Sequence, residues 1–199
     1  MKQYSPLIYN LDKKISKEAL AEFKSILDVG CGPNKVEGAT GIDSIQSPGV
    51  DTIWNLDQYP WPFSDNHFDL VISNHAFEHL TDVVKAITEC YRILKPNGRL
   101  IINVPYFRNS DAFGDVTHKH FFTVRSFDHF IKGTKASRYK YANVDMDLVD
   151  IWLGWPSVSK SKIRNYLKNF INRHKDFYEK KLSYFYPVRN IVYELLIKK

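Results

Sequence analysis

Asp28, Gly30 and Gly32, in the run Leu27-Asp28-Val29-Gly30-Cys31-Gly32-Pro33, are the first residues whose types and spacing can do chemistry. An apolar strand that leaves through two glycines one residue apart makes a tight turn, because glycine accepts positive φ and lets a ligand approach the main chain. At the carboxyl end of a parallel strand such a turn is a cradle for a small molecule. Two more carboxylates, Asp43 and Asp57, close apolar runs further along the chain. Either can instead do no more than cap the turn that follows it. His118 and His120, in Asp115-Val116-Thr117-His118-Lys119-His120, bring titratable imidazoles to a loop. Cys31 reads as small filler within the turn, not as a nucleophile.

The elements that must position these residues follow from periodicity. Short apolar runs predict strands at Ile26 to Val29, Ala39 to Asp43, Val50 to Leu56, Phe68 to Ser73 and Arg99 to Val104. About ten residues separate the first two, so their crossover helix must be a single turn or absent. Pro60 and Pro62 make Gln58 to Asn66 a loop. Thr81 is expected to cap a helix from Asp82 to about Leu94, with Val83, Val84, Ile87, Tyr91 and Leu94 as its buried stripe and Pro96-Asn97-Gly98 as its end. A weaker helical pattern covers Ser16 to Phe23. Tyr106 to Phe122 is a long loop, Thr123 caps a helix through Lys132, Tyr139 to Leu148 is strand six, and Ile191 to Ile197 is the final strand. Alternating strand and helix predicts a doubly wound, mostly parallel α/β sheet. Helical spacing of Ile163, Tyr166, Leu167, Phe170 and Ile171 predicts a helical insertion before the last strand, at about 152–188. The whole, 1–199, is read as one domain: a lid or helix at 1–24, a core at 25–105 and an acceptor-side region at 106–199.

Composition bounds the class. The chain has 199 residues, 44% apolar and 25% charged, which suits a globular domain with a real core. No apolar run approaches about 18 residues, so no spanning helix is expected. Two cysteines, Cys31 and Cys90, predict no disulfide framework and a reducing, cytoplasmic compartment. The net charge is +6, yet the residues from Pro156 onward hold 11 Lys and Arg against 3 Asp and Glu. That basic region is read as a packed helix with a solvated face, or as a contact with an anionic membrane surface or anionic acceptor.

Several ordered motifs carry a resemblance over roughly Ser25 to Tyr106. They are Leu27-Asp28-Val29-Gly30-Cys31-Gly32, Gly41-Ile42-Asp43, Leu56-Asp57, Trp61-Pro62-Phe63-Ser64-Asp65-Asn66-His67-Phe68-Asp69, Phe77-Glu78-His79-Leu80 and Tyr91-Arg92-Ile93-Leu94-Lys95-Pro96-Asn97-Gly98. In this order and spacing the chain resembles class I S-adenosylmethionine-dependent methyltransferases of the type 11 branch, with their Rossmann-like fold. The resemblance implies S-adenosylmethionine as cofactor. Gly30, Cys31 and Gly32 would carry backbone to its methionine part, with Asp28 beneath the turn. Asp43 would accept the ribose hydroxyls, Leu56 and Asp57 would frame the adenine, and Asn74, within Ser73-Asn74-His75, would border the transfer point.

Two competing ligands are less well matched. A dinucleotide fold wants a third glycine opening a full helix, and here that position is Lys35. A nucleic-acid acceptor is not favoured: Asn103-Val104-Pro105-Tyr106 only superficially resembles an Asn-Pro-Pro-Tyr motif, and it follows strand five, not strand four. For methyl transfer to oxygen, His118 or His120 is the expected general base. A metal centre on His118, His120, Asp111 and Asp115 has no supporting geometry, and no metal is expected. The loop with Asp115, Thr117 and His118 is similar to methyltransferases of glycan assembly, and Trp152, Trp155, Tyr166 and Phe170 would suit a sugar ring. The expected activity is O-methyl transfer to a small or saccharide-type acceptor. The alternative is a catalytically inactive cofactor-binding scaffold.

Overall fold

The computed structural model describes residues 20–154 and 160–199. Seven strands form one sheet in the order β3-β2-β1-β4-β5-β7-β6. They are β1 (Ile26–Val29), β2 (Thr40–Asp43), β3 (Thr52–Ile53), β4 (Phe68–Asn74), β5 (Leu94–Pro105), β6 (Met146–Leu153) and β7 (Asn190–Ile197). β1 to β5 pair in parallel, and β7 lies antiparallel between β5 and β6. The α/β, mostly parallel architecture is therefore as the sequence predicts, with a helical insertion before β7.

Strand residues alternate between two apolar clusters. Leu27, Val29, Leu100, Ile102, Tyr193 and Leu195 face the larger one; Ile26, Ile101, Trp152 and Val192 face the smaller. Parallel strands covered on both faces are apolar nearly throughout, which is why β1 is apolar apart from Asp28. Helix α1 (Val83–Ile93) packs on the larger cluster through Ala86, Ile87, Cys90 and Ile93. Its buried stripe is thus centred one step away from the predicted one; Val83, Val84 and Tyr91 are only partly buried. Asp82, not Thr81, caps it, accepting from Lys85 N at 3.0 Å. Between β1 and β2 there is a single 3-10 turn, Gly32–Asn34.

Three predicted elements differ, the first two because side chains take over backbone partners. β3 is two residues long instead of seven: the Asp51 carboxylate accepts from Gly41 N at 2.6 Å, and a turn at Asn55 to Gln58 closes the other end. The helix predicted from Thr123 to Lys132 reduces to a 3-10 turn at Asp128–Phe130. Ser126 Oγ takes Thr123 N, Thr123 Oγ1 takes Arg125 N and Glu179 takes Val124 N, so local side chains compete with a helical ladder. Strand six begins at Met146, not Tyr139, because Ala136–Tyr139 form a 3-10 turn ended by left-handed Lys140. The helix expected at 16–23 falls mostly outside the described residues, as does Trp155.

Helix α2 (Lys162–Arg173) carries the insertion. Asn172 anchors it, accepting from Leu153 N at 2.7 Å and donating to Leu153 O at 3.0 Å. Glu179 then ties the insertion to the loop after β5 by accepting from Tyr106 Oη at 3.2 Å and Val124 N at 2.9 Å. No helix among the described residues is long and apolar enough to cross a membrane.

Arg92, at the end of α1, holds the loop that follows β3. Its guanidinium donates to Glu89, Asp65, Phe63 O and Trp61 O at 2.6 to 3.1 Å, while Glu89 Oε2 also accepts from Trp61 N at 2.7 Å. Only a planar fork of donors satisfies this set. Arg92→Lys is expected to lower unfolding free energy by about 2 kcal/mol, read by urea denaturation; an unchanged midpoint would remove the clamp from the stability of the fold.

Candidate functional site

The turn leaving β1 has the conformation its glycines predict. Gly30 (φ +67°) donates to Ile42 O at 2.9 Å, and a Cβ on it would lie 2.3 Å from Ala76 Cβ. Gly32 (φ +50°) donates to Asp43 Oδ2 at 2.9 Å and has open space where its Cβ would be. Leu56 reaches the same turn: its Cδ1 is 3.9 Å from the Gly30 Cβ position. The structure thus gathers Gly30, Gly32, Asp43, Leu56 and the end of β4 around one cradle.

Asp28 lies beneath it. One carboxylate oxygen accepts from Val36 N at 2.8 Å; the other is buried with no partner among the described residues. Burial pushes this carboxyl up to about 6, the Val36 hydrogen bond pulls it back, and neighbouring Asp43 raises it further. The Cys31 thiol is pushed up to about 11, by burial and then by Asp28 and Asp43, which suits filler and not a nucleophile. Asp43 caps the turn with both oxygens, Oδ2 toward Gly32 N and Oδ1 toward Ile45 N at 2.9 Å. Each oxygen retains a second acceptor position, so capping does not preclude binding a diol. An orphaned buried carboxylate oxygen under an open glycine turn, with a second carboxylate at the next strand end, fits a nucleoside bearing a cationic amino-acid tail.

Asp57 is more committed. It accepts from Thr81 N at 2.7 Å and Thr81 Oγ1 at 2.6 Å, with Lys119 Nζ 3.7 Å away. Burial raises its carboxyl, but the Thr81 bonds and Lys119 outweigh burial and hold it low.

Beyond β4, the strand ends meet in a polar seam. Asn190 Nδ2 donates to Asn103 Oδ1 at 3.0 Å and to His75 Nε2 at 2.9 Å, and Asn103 Nδ2 donates to Asn74 Oδ1 at 3.4 Å. Because Nε2 of His75 accepts, its Nδ1 carries the proton and donates to Glu78 Oε1 at 3.1 Å. Asn103 is thus an internal tie between strands, consistent with reading its motif as a decoy. Asn190 went unnoticed in the sequence; the only signal was a polar residue opening an otherwise apolar strand.

The loop after β5 folds back on this seam. Glu78 O accepts from Lys119 N at 2.7 Å and from His120 N at 3.3 Å. His118 Nδ1 donates to Ala112 O at 2.9 Å, and its ring packs edge-on to His79 with centroids 4.7 Å apart. His120 Nε2 is buried with no partner among the described residues. Asp111 and Asp115 do not join them: Asp111 faces Arg189 Nε at 3.5 Å, and Asp115 accepts from Thr117 Oγ1 at 2.7 Å. Trp152 is not a rim residue either. It is buried in the smaller core cluster because the strand register turns it there.

With this geometry in view, similarity to known proteins becomes informative. A family model described as "Methyltransferase domain" matches residues 46–102. The ubiquinone/menaquinone biosynthesis C-methyltransferase UbiE of Psychromonas ingrahamii is 49% identical over 57 residues, 27% of this chain and 23% of that protein. The solved S-adenosylmethionine-dependent methyltransferase from Archaeoglobus fulgidus superposes with TM-score 0.54 at 16% identity, covering 86% of this chain and 85% of that one. Over residues 46–102 the chain is similar to the methyltransferase domain family, and its fold is that of solved S-adenosylmethionine-dependent methyltransferases. A chloroplastic tocopherol O-methyltransferase of Arabidopsis thaliana is 29% identical over 119 residues, 48% of the chain and 34% of that protein. The chain therefore spans about a quarter to a third of the length of these curated relatives.

The raised Asp28 carboxyl sets a pH dependence. A folded-state value above the ordinary 3.8 means its contribution to stability is full below pH 3.8 and is lost as pH rises through about 6. A gap of that size corresponds to about 3 kcal/mol. Asp28→Asn keeps an acceptor for Val36 N but cannot ionise. Relative to the parent it is expected to gain up to about 3 kcal/mol between pH 4 and 7, measured by urea unfolding at each pH.

Proposed function

We propose that this chain transfers a methyl group from S-adenosylmethionine to an oxygen of a small or saccharide-type acceptor. The observation that carries the reading is the open Gly32 face, with Asp43 hydrogen-bonded to its N–H and the unpartnered Asp28 oxygen below. Gly30, Cys31, Gly32 and Asp28 would hold the methionine part, Asp43 the ribose, and Leu56 and Asp57 the adenine edge; Asn74 would border the transfer point.

When bound, the sulfonium supplies an activated methyl group and a neutral leaving thioether. The protein's task is then to align the acceptor and exclude water. The loop after β5, pinned to Glu78 O, brings His118 and His120 to the carboxyl ends of the strands, where ligands bind in such sheets. One of them would take the acceptor proton as the oxygen–methyl bond forms. A family whose relatives are named for both C- and O-methyl transfer is compatible with an oxygen acceptor, and the polar loop favours one. Two free, buried thiols suit a cytoplasmic setting.

Calorimetry with S-adenosylmethionine, followed by labelled-methyl transfer to sugar and small hydroxylated acceptors, tests this. Asp43→Ala is expected to weaken cofactor binding at least about tenfold, the equivalent of 1.4 kcal/mol. His118→Gln and His120→Gln leave binding intact, and the one that removes the base lowers turnover about 100-fold or more. Binding without transfer to any acceptor would favour the scaffold reading, and absent binding would defeat both.

The insertion supports a second contact. Ile163, Tyr166, Phe177, Tyr184, Phe185 and Tyr186 are exposed large apolar or aromatic side chains on the basic 156–199 region. Aromatic side chains among lysines suit the headgroup layer of an anionic membrane. Sedimentation with phosphatidylserine vesicles is expected to carry the chain down at low salt and release it at high salt; equal recovery with neutral vesicles would exclude charge as the driver.

A further inference from the structure

Glu78, His79 and His118 converge although they come from separate parts of the chain. One ligand atom from each lies within 4.8 Å of the other two. Glu78 and His79 sit on the 3-10 turn after β4, and His118 on the loop after β5. Lys119 N, donating to Glu78 O at 2.7 Å, staples the two segments together.

The hydrogen bonds around the three side chains fix what each can offer. Thr117 Oγ1 donates its proton to Asp115 Oδ1 at 2.7 Å. The same oxygen is 2.9 Å from His79 Nδ1, so it accepts there and Nδ1 is the protonated nitrogen. His118 Nδ1 faces a carbonyl, Ala112 O, at 2.9 Å and is likewise the protonated one. Both imidazoles are therefore held with Nε2 as a free lone pair, and neither Nε2 has a hydrogen-bond partner among the described residues. Glu78 is 1% exposed. Its Oε1 accepts from His75 Nδ1, and its Oε2 is buried with no partner among the described residues. A buried, unpaired carboxylate oxygen is costly unless something cationic meets it.

We propose that Glu78, His79 and His118 form a binding site for a divalent first-row transition metal ion. Two imidazole nitrogens and one carboxylate oxygen suit zinc and its neighbours. Each ligand's remaining polar atom is tied back, His79 to Thr117 and Asp115, His118 to Ala112 O and Glu78 to His75, which is the outer-shell pattern that orients metal ligands. Tetrahedral ligands about 2.1 Å from one ion lie about 3.4 Å apart, so loading draws the three atoms together by up to about 1.4 Å. Three protein ligands leave coordination positions open to water or to an oxygen of the acceptor. That last role rests on the methyl-transfer reading; metal binding itself does not.

The test uses tag-free chain stripped by chelator and no S-adenosylmethionine, so its result is independent of cofactor binding. Zinc titration by calorimetry is expected to give one equivalent per chain. Cobalt(II) is expected to give visible absorption that zinc displaces, and X-ray absorption of the zinc form to report two imidazoles. His79→Ala and His118→Ala each weaken zinc at least about 100-fold, Thr117→Val about tenfold through His79, and His129→Ala not at all. Circular dichroism of the two half-exposed histidine variants checks that they fold. No stoichiometric uptake by the parent chain, or equal uptake by the His79→Ala/His118→Ala double variant, overturns the site.

Discussion

There is no room for a side chain at Gly30. The 2.3 Å separation between its would-be Cβ and Ala76 Cβ means that the turn after β1 and the segment after β4 are seated directly against each other. That close approach puts the glycine turn beside Ser73-Asn74-His75. It also forces β4 to leave its strand sharply, and His75 does so with φ +56°. A left-handed non-glycine residue costs of order 1 kcal/mol. Hydrogen bonds to both ring nitrogens, from Asn190 on one side and to Glu78 on the other, hold the residue in that conformation. The contact at Gly30 and the polar seam are thus one piece of construction.

A second constraint works at a distance from the cradle. The segment between β3 and β4 carries Leu56 and Asp57 yet has almost no regular structure of its own. Arg92 and Glu89 on α1 supply the partners its backbone would otherwise lack, and Trp61, 1% exposed, fills the core beneath it. The motifs Trp61 to Asp69 and Tyr91 to Gly98 are thereby explained as two halves of one clamp. Trp61 Nε1 donates to Leu56 O at 3.0 Å, so the clamp holds Leu56 against the glycine turn.

The elements legible in the sequence were those whose residues are buried on both faces. β1, β4, β5 and β7 announce themselves as largely apolar runs because most of their side chains are buried in the two apolar clusters. β3 and the 123–132 segment were misjudged where Asp51, Ser126 and Glu179 capture backbone N–H groups, an arrangement that depends on partners up to 55 residues away. The glycine turn, Asp28 and Asp43 were legible because their spacing along the chain is itself the signal. The partners of His118 were not. The sequence set it beside His120, Asp111 and Asp115, its neighbours along the chain, whereas folding sets it beside His79 and Glu78 across the sheet's edge.

The position of β7 has a consequence for how the molecule is made. Among the described strands β6 forms a ladder only with β7, apart from a single bridge between Met146 and Ile131, and β7 separates it from β5. During synthesis the five parallel strands can assemble while the rest of the chain is still emerging, but β6 has no ladder to join until residues 190–197 arrive. Asn190 arrives with them, so His75 and Asn103 at the heart of the seam wait for the same event. The crevice is completed late, by a long-range contact, and the step that closes the sheet is the step that finishes the site.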